Sequence, residues 1–157
     1  MRTTLSLSSL LLAFAINSAH AQSHAATHSA APEFKWGPAP SVFPAGAEMA
    51  VLHGDPSSNA EFTVRLRFPN KYRIAPHTHP TDENVTVISG TFRVGMGKTF
   101  AEKDMLTLGT GGFVTAPANE AHFAEAQGVT VVQVHAMGPF VLTYVNPADM
   151  PHPTPGR

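Results

Sequence analysis

Residues 77–90 of the chain read HTHPTDENVTVISG, and this stretch decides how the rest of the sequence is interpreted. On a β-strand, side chains two positions apart share a face, so His77 and His79 project together. The run 80–82 (PTD) predicts a turn, after which Glu83 begins the next strand within reach of the two imidazoles. Imidazole and carboxylate groups are ligands that suit divalent first-row metals. The spacing therefore predicts a metal site.

A second stretch, residues 111–123 (GGFVTAPANEAHF), adds a fourth candidate ligand. Pro117 and Asn119 indicate a tight turn between two strands, and His122 follows on the second strand. Three histidines and one carboxylate would leave two positions open on a six-coordinate ion. The competing interpretation is that these polar residues hydrogen-bond within a core or face solvent. Buried polar groups need partners, however, and no other pattern in the sequence supplies them.

The sequence around both stretches has the pattern of an all-β domain. Residues 61–68 (EFTVRLRF) alternate between apolar and polar side chains, which is typical of a half-buried strand. The dipeptides 89–90 (SG) and 111–112 (GG) indicate turns. Roughly seven or eight short strands separated by turns predict an antiparallel sandwich or barrel. Further strands are predicted at residues 85–89, 91–96, 112–115, 122–126, 130–136 and 140–145.

The two stretches together resemble the two motifs of the cupin superfamily. Residues 77–90 match the first motif as H-x-H-x3-E-x6-G, and residues 111–122 match the second as G-x5-P-x-N-x2-H. The resemblance implies a small single-domain protein with a double-stranded β-helix, the jelly-roll barrel. It also implies one divalent transition metal ion, which could be iron, manganese, zinc, nickel or copper. The implied ligands are His77, His79, Glu83 and His122.

Three positions depart from the cupin pattern. Lys71 stands where the first motif usually begins with glycine, and Asn119 replaces the glycine in the turn of the second motif. Asparagine tolerates a positive φ, so the second change is mild. Ala126 replaces the asparagine that often ends the second motif. None of the three is a ligand, so we expect the metal site to be retained.

Cupins include dioxygenases, isomerases, decarboxylases, lyases and non-catalytic binding proteins, so the fold does not choose a function. The site predicts a metal-dependent enzyme for a small oxygen-bearing molecule, either a hydroxy- or keto-acid or a phenolic. Glu83 would serve as a ligand or, when displaced, as the catalytic base. The alternative is a cupin that binds a metal or small ligand without turnover, and a structural or storage role has the least support.

Three further residues are candidates for the substrate pocket: His135, Tyr72 and Arg65. His135 could line the pocket or orient a ligand, although a hydrogen-bonded core or surface position is the competing interpretation. Arg65 could hold a substrate carboxylate if its strand face turned inward. A solvent-facing position is the alternative for this arginine.

The first 46 residues lack the β pattern. Residues 1–21 have the features of a signal peptide, with Arg2, an apolar run at 5–16 and an A-x-A motif that ends at Ala21. We expect cleavage after Ala21 and a periplasmic or secreted protein. An uncleaved anchor is disfavoured because the apolar run is shorter than the roughly 20 residues of a membrane span.

The remaining chain divides into three predicted parts. Residues 22–46 form a flexible lead-in and a proline-rich arm, which Trp36 and Phe43 anchor to the body. Residues 47–150 form the cupin barrel, and residues 151–157 form a tail.

Composition restricts the chemistry and the partners. The chain has no cysteine, which excludes disulfides, thiolate metal sites and a cysteine nucleophile. A net charge of −1 gives no basis for binding nucleic acid or an anionic membrane surface. Charged residues make up 13% of the chain, about half the usual figure for soluble domains. This charge-poor surface and the apolar arm predict a homodimer, alongside a small-molecule ligand.

Overall fold

The computed structural model describes residues 34–151, so the predicted signal peptide, the lead-in at 22–33 and the tail at 152–157 lie outside the described residues. Within this range the regular structure is β, apart from short 3-10 helices at Glu102–Asp104 and Pro147–Asp149. No helix among these residues has the length and apolar character to cross a membrane. The nine strands are β1 Gly37–Pro38, β2 Glu48–His53, β3 Glu61–Phe68, β4 Arg73–Thr78, β5 Glu83–Met96, β6 Leu106–Leu108, β7 Phe113–Ala116, β8 His122–Met137 and β9 Thr143–Tyr144.

Two long strands, β5 and β8, pair antiparallel with each other and contribute to both faces of the fold. The C-terminal half of β8 lies between β3 and β5, and its N-terminal half lies between β4 and β5. One face therefore contains β1, β2, β3, β8, β5 and β7, and the other contains β9, β4, β8, β5 and β6. The curled antiparallel sheet is the predicted all-β double-stranded β-helix, or jelly roll.

The bend of β5 between the two faces occurs at Gly90. This residue has a φ of +84°, and a Cβ added there would lie 2.6 Å from the carbonyl oxygen of Val129. The register with β8 shifts on either side of Ser89. The predicted turn at 89–90 is therefore a bulge within one strand, and the strands predicted at 122–126 and 130–136 are likewise two halves of β8. Bulges and turns use the same residue types, so local sequence does not separate them.

Lys71 and Asn119 are the non-glycine residues of the described range with a positive φ, at 63° and 62°. Both stand where the cupin motifs carry glycine, so the substitutions preserve the backbone conformation that the motifs require. The N–H of Lys71 donates to the carbonyl oxygen of Ala126 at 2.9 Å. The N–H of Asn119 donates to the carbonyl oxygen of His79 at 2.8 Å, which holds the second motif against the first.

The interior is filled by the apolar residues of the long strands. On β3, which has the predicted bounds, Phe62 and Phe68 are completely buried, whereas Arg65 and Arg67 on the opposite face are partly exposed. Burial of each large apolar side chain contributes about 1.5–3 kcal/mol relative to exposure. The same alternation directs one face of β3 toward the site described below.

The proline-rich arm packs against both the outer face of β3 and the core. The guanidinium of Arg67 lies 4.5 Å from the centre of the Trp36 ring, and that of Arg65 lies 4.6 Å from the Phe34 ring. Trp36 thus contacts the polar outer face of β3, whereas Phe43 is buried with the core.

Candidate metal centre

Three histidines meet inside the barrel. His77 lies near the end of β4, His79 follows that strand, and His122 begins β8 as the cross-strand partner of His77. One ring nitrogen of each residue lies within 4.8 Å of the corresponding atoms of the other two. All three side chains are buried, with no more than 4% of any residue exposed. The structure thus brings together the three imidazoles that the sequence nominated.

The Nδ1 atom of each ring lies against a backbone carbonyl. Because a carbonyl oxygen can only accept, each Nδ1 carries the proton and each neutral ring keeps its lone pair on Nε2. A common tautomer of this kind is the arrangement that metal-ligating histidines use. The contacts are His77 Nδ1 to Ala75 O at 2.8 Å, His79 Nδ1 to Val141 O at 2.7 Å and His122 Nδ1 to Glu120 O at 3.1 Å.

Glu83 lies beside this cluster, at the start of β5. Its Oε2 lies 3.6 Å from Nε2 of His79 and 3.4 Å from Nε2 of His122. Those two Nε2 atoms are buried and have no hydrogen-bond partner among the described residues. In the tautomer just assigned, nitrogen lone pairs face a carboxylate oxygen, an arrangement of acceptors that a cation between them would stabilise. Donors about 2.1 Å from one ion lie roughly 3 Å apart, and the Glu83 separations of 3.4 and 3.6 Å are close to that spacing.

The electrostatics of the site favour the forms that bind metal. Burial, together with the neighbouring His122 and His79, lowers the pKa of His77 to about 3. Burial likewise lowers the pKa of His79, against the opposing effect of Glu83. Burial alone would raise the pKa of Glu83, but a neighbouring positive charge, which a protonated His122 or His79 ring or a bound cation supplies, lowers it below its usual value. Neutral imidazoles and an ionised carboxylate are the protonation states that coordinate metal ions.

The turn between β4 and β5 fixes the position of Glu83. Thr81 donates its hydroxyl to the carbonyl oxygen of Met137 at 2.7 Å, and the Asp82 carboxylate accepts the N–H of Ala118 at 2.8 Å. The predicted turn at 80–82 is therefore tied to β8 and to the turn of the second motif.

The centre opens into a small apolar cavity of about 30 Å³. Water needs about 10–15 Å³ of such space, so the cavity has room for roughly two water molecules. Apart from the three histidines and Glu83, the residues that line it are Phe43, Leu66, Phe68, Ile74, Val85, Phe92, Val94, Val114, Ala116, Ala124, Val132, Val134 and Leu142.

The three residues nominated for a substrate pocket are not among those that line this cavity. His135 lies on the outer face of β8, where Nε2 contacts the Glu61 carboxylate at 2.7 Å and Nδ1 contacts the Thr63 hydroxyl at 3.0 Å. The alternation of β8 explains this placement, because its neighbours Val132 and Val134 face inward.

Arg65 and Tyr72 are also separated from the histidines. The Nε of Arg65 donates to the side chain of Gln133 at 3.3 Å on the outer face. The ring of Tyr72 stacks on Phe68, 4.9 Å between centroids, and its hydroxyl donates to the carbonyl oxygen of Pro44. Tyr72 thus lies behind the cavity wall and holds the arm.

Sequence reasoning missed the residues that cover the centre. Phe140 stacks on His79, with the ring centroids 5.3 Å apart and the planes at 14°. The carbonyl oxygen of Val141 accepts the hydrogen bond from Nδ1 of that ring, and Leu142 lines the cavity. The strand predicted at 140–145 is reduced to Thr143–Tyr144, so these residues belong to an irregular segment whose position no periodic pattern signals.

Comparison with known families agrees with this geometry. Residues 22–141, most of the chain, match the family described as the ChrR cupin-like domain. The chain belongs to this cupin family. No curated protein sequence is significantly similar to this cupin.

Solved structures share the fold at low sequence identity. This cupin is similar to the polyketide cyclase RemF from Streptomyces resistomycificus, with a TM-score of 0.64, 14% identity and coverage of 81% of this chain and 90% of RemF. It is also similar to a candidate acetylacetone dioxygenase from Methylibium petroleiphilum, with a TM-score of 0.61, 20% identity and coverage of 83% and 89%. A cupin from Shewanella frigidimarina gives a TM-score of 0.57, 14% identity and coverage of 72% and 91%. At these identities the likeness shows the fold alone.

Proposed function

We propose that this cupin is a metal-dependent enzyme that acts on a small oxygen-bearing molecule. The observation that supports the proposal is the shared tautomer of His77, His79 and His122, whose Nδ1 atoms are all held by backbone carbonyls. Three lone pairs are thereby kept free beside one carboxylate in an apolar cavity, an arrangement that a bound cation would satisfy.

His77, His79 and His122 would hold the ion, and Glu83 would bind as a fourth ligand or lie beside it. A divalent transition metal supplies Lewis acidity at this position and, if redox-active, access to oxygen chemistry. Iron would favour oxygen chemistry, whereas zinc would favour hydrolytic or other Lewis-acid chemistry.

Glu83 is the group that would move a proton. It is the one carboxylate among the described residues that line the cavity, and a cation bound beside it would favour its ionised form. One of its oxygens can accept a proton from a hydroxyl group of a bound molecule or from one of its acidic carbon atoms. The apolar wall excludes bulk water and so strengthens the electrostatic interactions within the site.

The second candidate is a cupin that binds a metal or small ligand without turnover. The observation in its favour is the cavity volume of about 30 Å³, which admits water but not a substrate unless the covering residues move. A protein of this kind would keep the ligand set and lack a substrate path.

Metal content and turnover distinguish the two candidates. The purified protein is analysed for metals and then incubated with hydroxy acids, keto acids and phenolics while oxygen uptake and product formation are measured. We expect about one transition metal ion per chain and turnover of at least one class, with turnover lost in Glu83→Gln. One metal ion per chain without turnover of any class would favour the binding protein, and no metal would refute the enzyme and leave only a cupin that binds a small ligand.

A further inference from the structure

Among the residues that the structure describes, no side chain of the cavity wall could neutralise or hydrogen-bond a charge away from the histidines. The lining residues of the cavity, other than the three histidines and Glu83, are all aliphatic or phenylalanine side chains. A charged group placed against this wall would lose its hydration without gaining a partner, which is strongly unfavourable. Polar parts of a ligand must therefore gather at the histidine end.

The charge at the histidine end is limited as well. The three imidazoles are neutral in the tautomer assigned above, so a divalent ion and the Glu83 carboxylate together leave one net positive charge. A ligand that brings one negative charge makes the buried site neutral. A second negative charge on the same ligand would remain unpaired in an apolar surrounding.

Phe43 lines the cavity from the segment between β1 and β2. Hydrogen bonds hold the backbone on both sides of this residue. Tyr144 donates its hydroxyl to the carbonyl oxygen of Val42 at 2.9 Å, and Tyr72 donates its hydroxyl to the carbonyl oxygen of Pro44. Burial raises the pKa of Tyr144 to about 12, so this donor keeps its proton at neutral pH. The Phe43 ring also contacts Phe140, with 6.1 Å between centroids.

We propose, on the basis of the metal-dependent function above, that the cavity, once the covering residues have moved to admit a ligand, selects ligands with at most one negative charge, located at the metal-binding end, and an apolar remainder whose length Phe43 limits. The ligand class is thus a small oxygen chelator with a short apolar tail. Dicarboxylates, phosphorylated compounds and other ligands with a remote charge are excluded. Among hydroxy acids, keto acids and phenolics, this favours short monocarboxylic oxo and hydroxy acids.

Two oxo acids test the charge rule directly. The compounds 2-oxopentanoate and 2-oxoglutarate share a chelating head and chain length, but only the second has a carboxylate at its tail. The full protein is loaded with Co²⁺, and each acid is titrated while the visible d–d absorption of the cobalt is followed. We expect 2-oxopentanoate to bind at least about tenfold more tightly, because the tail carboxylate of 2-oxoglutarate must be desolvated.

The outcomes separate this inference from the function on which it rests. A protein that takes up no Co²⁺ would refute the metal-dependent function and this inference together. Uptake of Co²⁺ with equal or tighter binding of 2-oxoglutarate, or with no binding of either acid, would refute the inference alone.

The role of Phe43 is tested with acids of different length. In Phe43→Ala and the more conservative Phe43→Leu, binding of 2-oxooctanoate to the Co²⁺ protein should improve at least about fivefold relative to 2-oxobutanoate, because the wall recedes. Phe113→Ala and Phe113→Leu are the matched controls, since Phe113 is 57% exposed and does not line the cavity. If Phe43→Ala does not fold, Phe43→Leu decides. An unchanged length preference in the folded Phe43 variants would overturn the assignment.

Discussion

At the scale of single residues, the centre depends on which nitrogen of each histidine carries the proton. The contacts with Ala75, Glu120 and Val141 place that proton on Nδ1 in all three rings. The Nε2 atoms are then left to bind a cation or to take up a proton, which the nearby carboxylate of Glu83 would stabilise. Metal binding and protonation are therefore alternative ways to satisfy the same atoms.

Replacement of His79 with alanine should abolish stoichiometric metal binding while the β fold is retained. The change removes one of three imidazole donors and leaves the backbone of the turn intact. Elemental analysis of purified protein measures the result. His135→Ala is the matched control, because His135 is a surface histidine bonded to Glu61, and it should keep its metal. One metal ion per chain in the His79 variant would contradict the assignment.

The metal-free protein should lose stability as the pH falls below about 6.5. In this range an unfolded His77 takes up a proton that the folded residue, with a pKa of about 3, does not. The free energy of unfolding should then decrease by up to about 1.4 kcal/mol per pH unit for each such histidine.

Urea unfolding of the metal-free protein between pH 7.5 and pH 5 measures this dependence. His77→Gln removes one titrating group, so its stability should vary less steeply with pH than that of the wild type. A wild-type protein whose stability is constant or increases toward pH 5 would contradict the prediction.

At the scale of elements, the turns join the two motifs. The carboxylate of Asp82 accepts the N–H of Ala118, and the carbonyl of His79 accepts that of Asn119. The first motif thus supplies an acceptor from a side chain and another from the backbone. The relative position of β5 and β8, and with it the approach of Glu83 to His122, depends on this junction.

Asp82→Ala should therefore lower the free energy of unfolding by about 1 kcal/mol, since it deletes one partly exposed hydrogen bond to a backbone donor. Asp82→Asn keeps an acceptor oxygen in place and should lose less. Chemical denaturation of the three proteins compares them. Equal stability of Asp82→Ala and the wild type would show that the junction does not contribute.

Elements also show how far the sequence could predict the structure. The alternation of apolar and polar residues at 61–68 predicted β3 with its observed bounds, because one face of that strand is buried and the other is not. The histidine spacing nominated the imidazoles that the structure brings together. The continuity of β5 and β8 through their bends was not predictable, since a bulge at Gly90 has the local signature of a turn. The covering residues Phe43 and Phe140 lie in segments without a period and are positioned by long-range contacts.

At the scale of the whole molecule, we propose a homodimer. The charged fraction is low, and several large apolar side chains are exposed on the described surface, among them Leu106, Phe113 and Val129 at 56%, 57% and 65%. Exposed apolar residues of this size favour contact with a second copy. Light scattering at micromolar concentration should give twice the chain mass, and a monomer mass would contradict the proposal.

Export is the second prediction at this scale. The motif that ends at Ala21 should be cleaved, so N-terminal sequencing of protein from the native host should begin at Gln22. Recovery of a chain that still begins at Met1 would contradict it.

The carbonyls that orient the three histidines have a consequence for how the gene can vary. They belong to the main chain at Ala75, Glu120 and Val141, so a codon change at these positions replaces a side chain without deleting the acceptor. The side chains at these three positions can therefore change during evolution, provided that the backbone keeps its path. A saturation library scored for metal retention should tolerate many replacements at these three positions and almost none at the histidines.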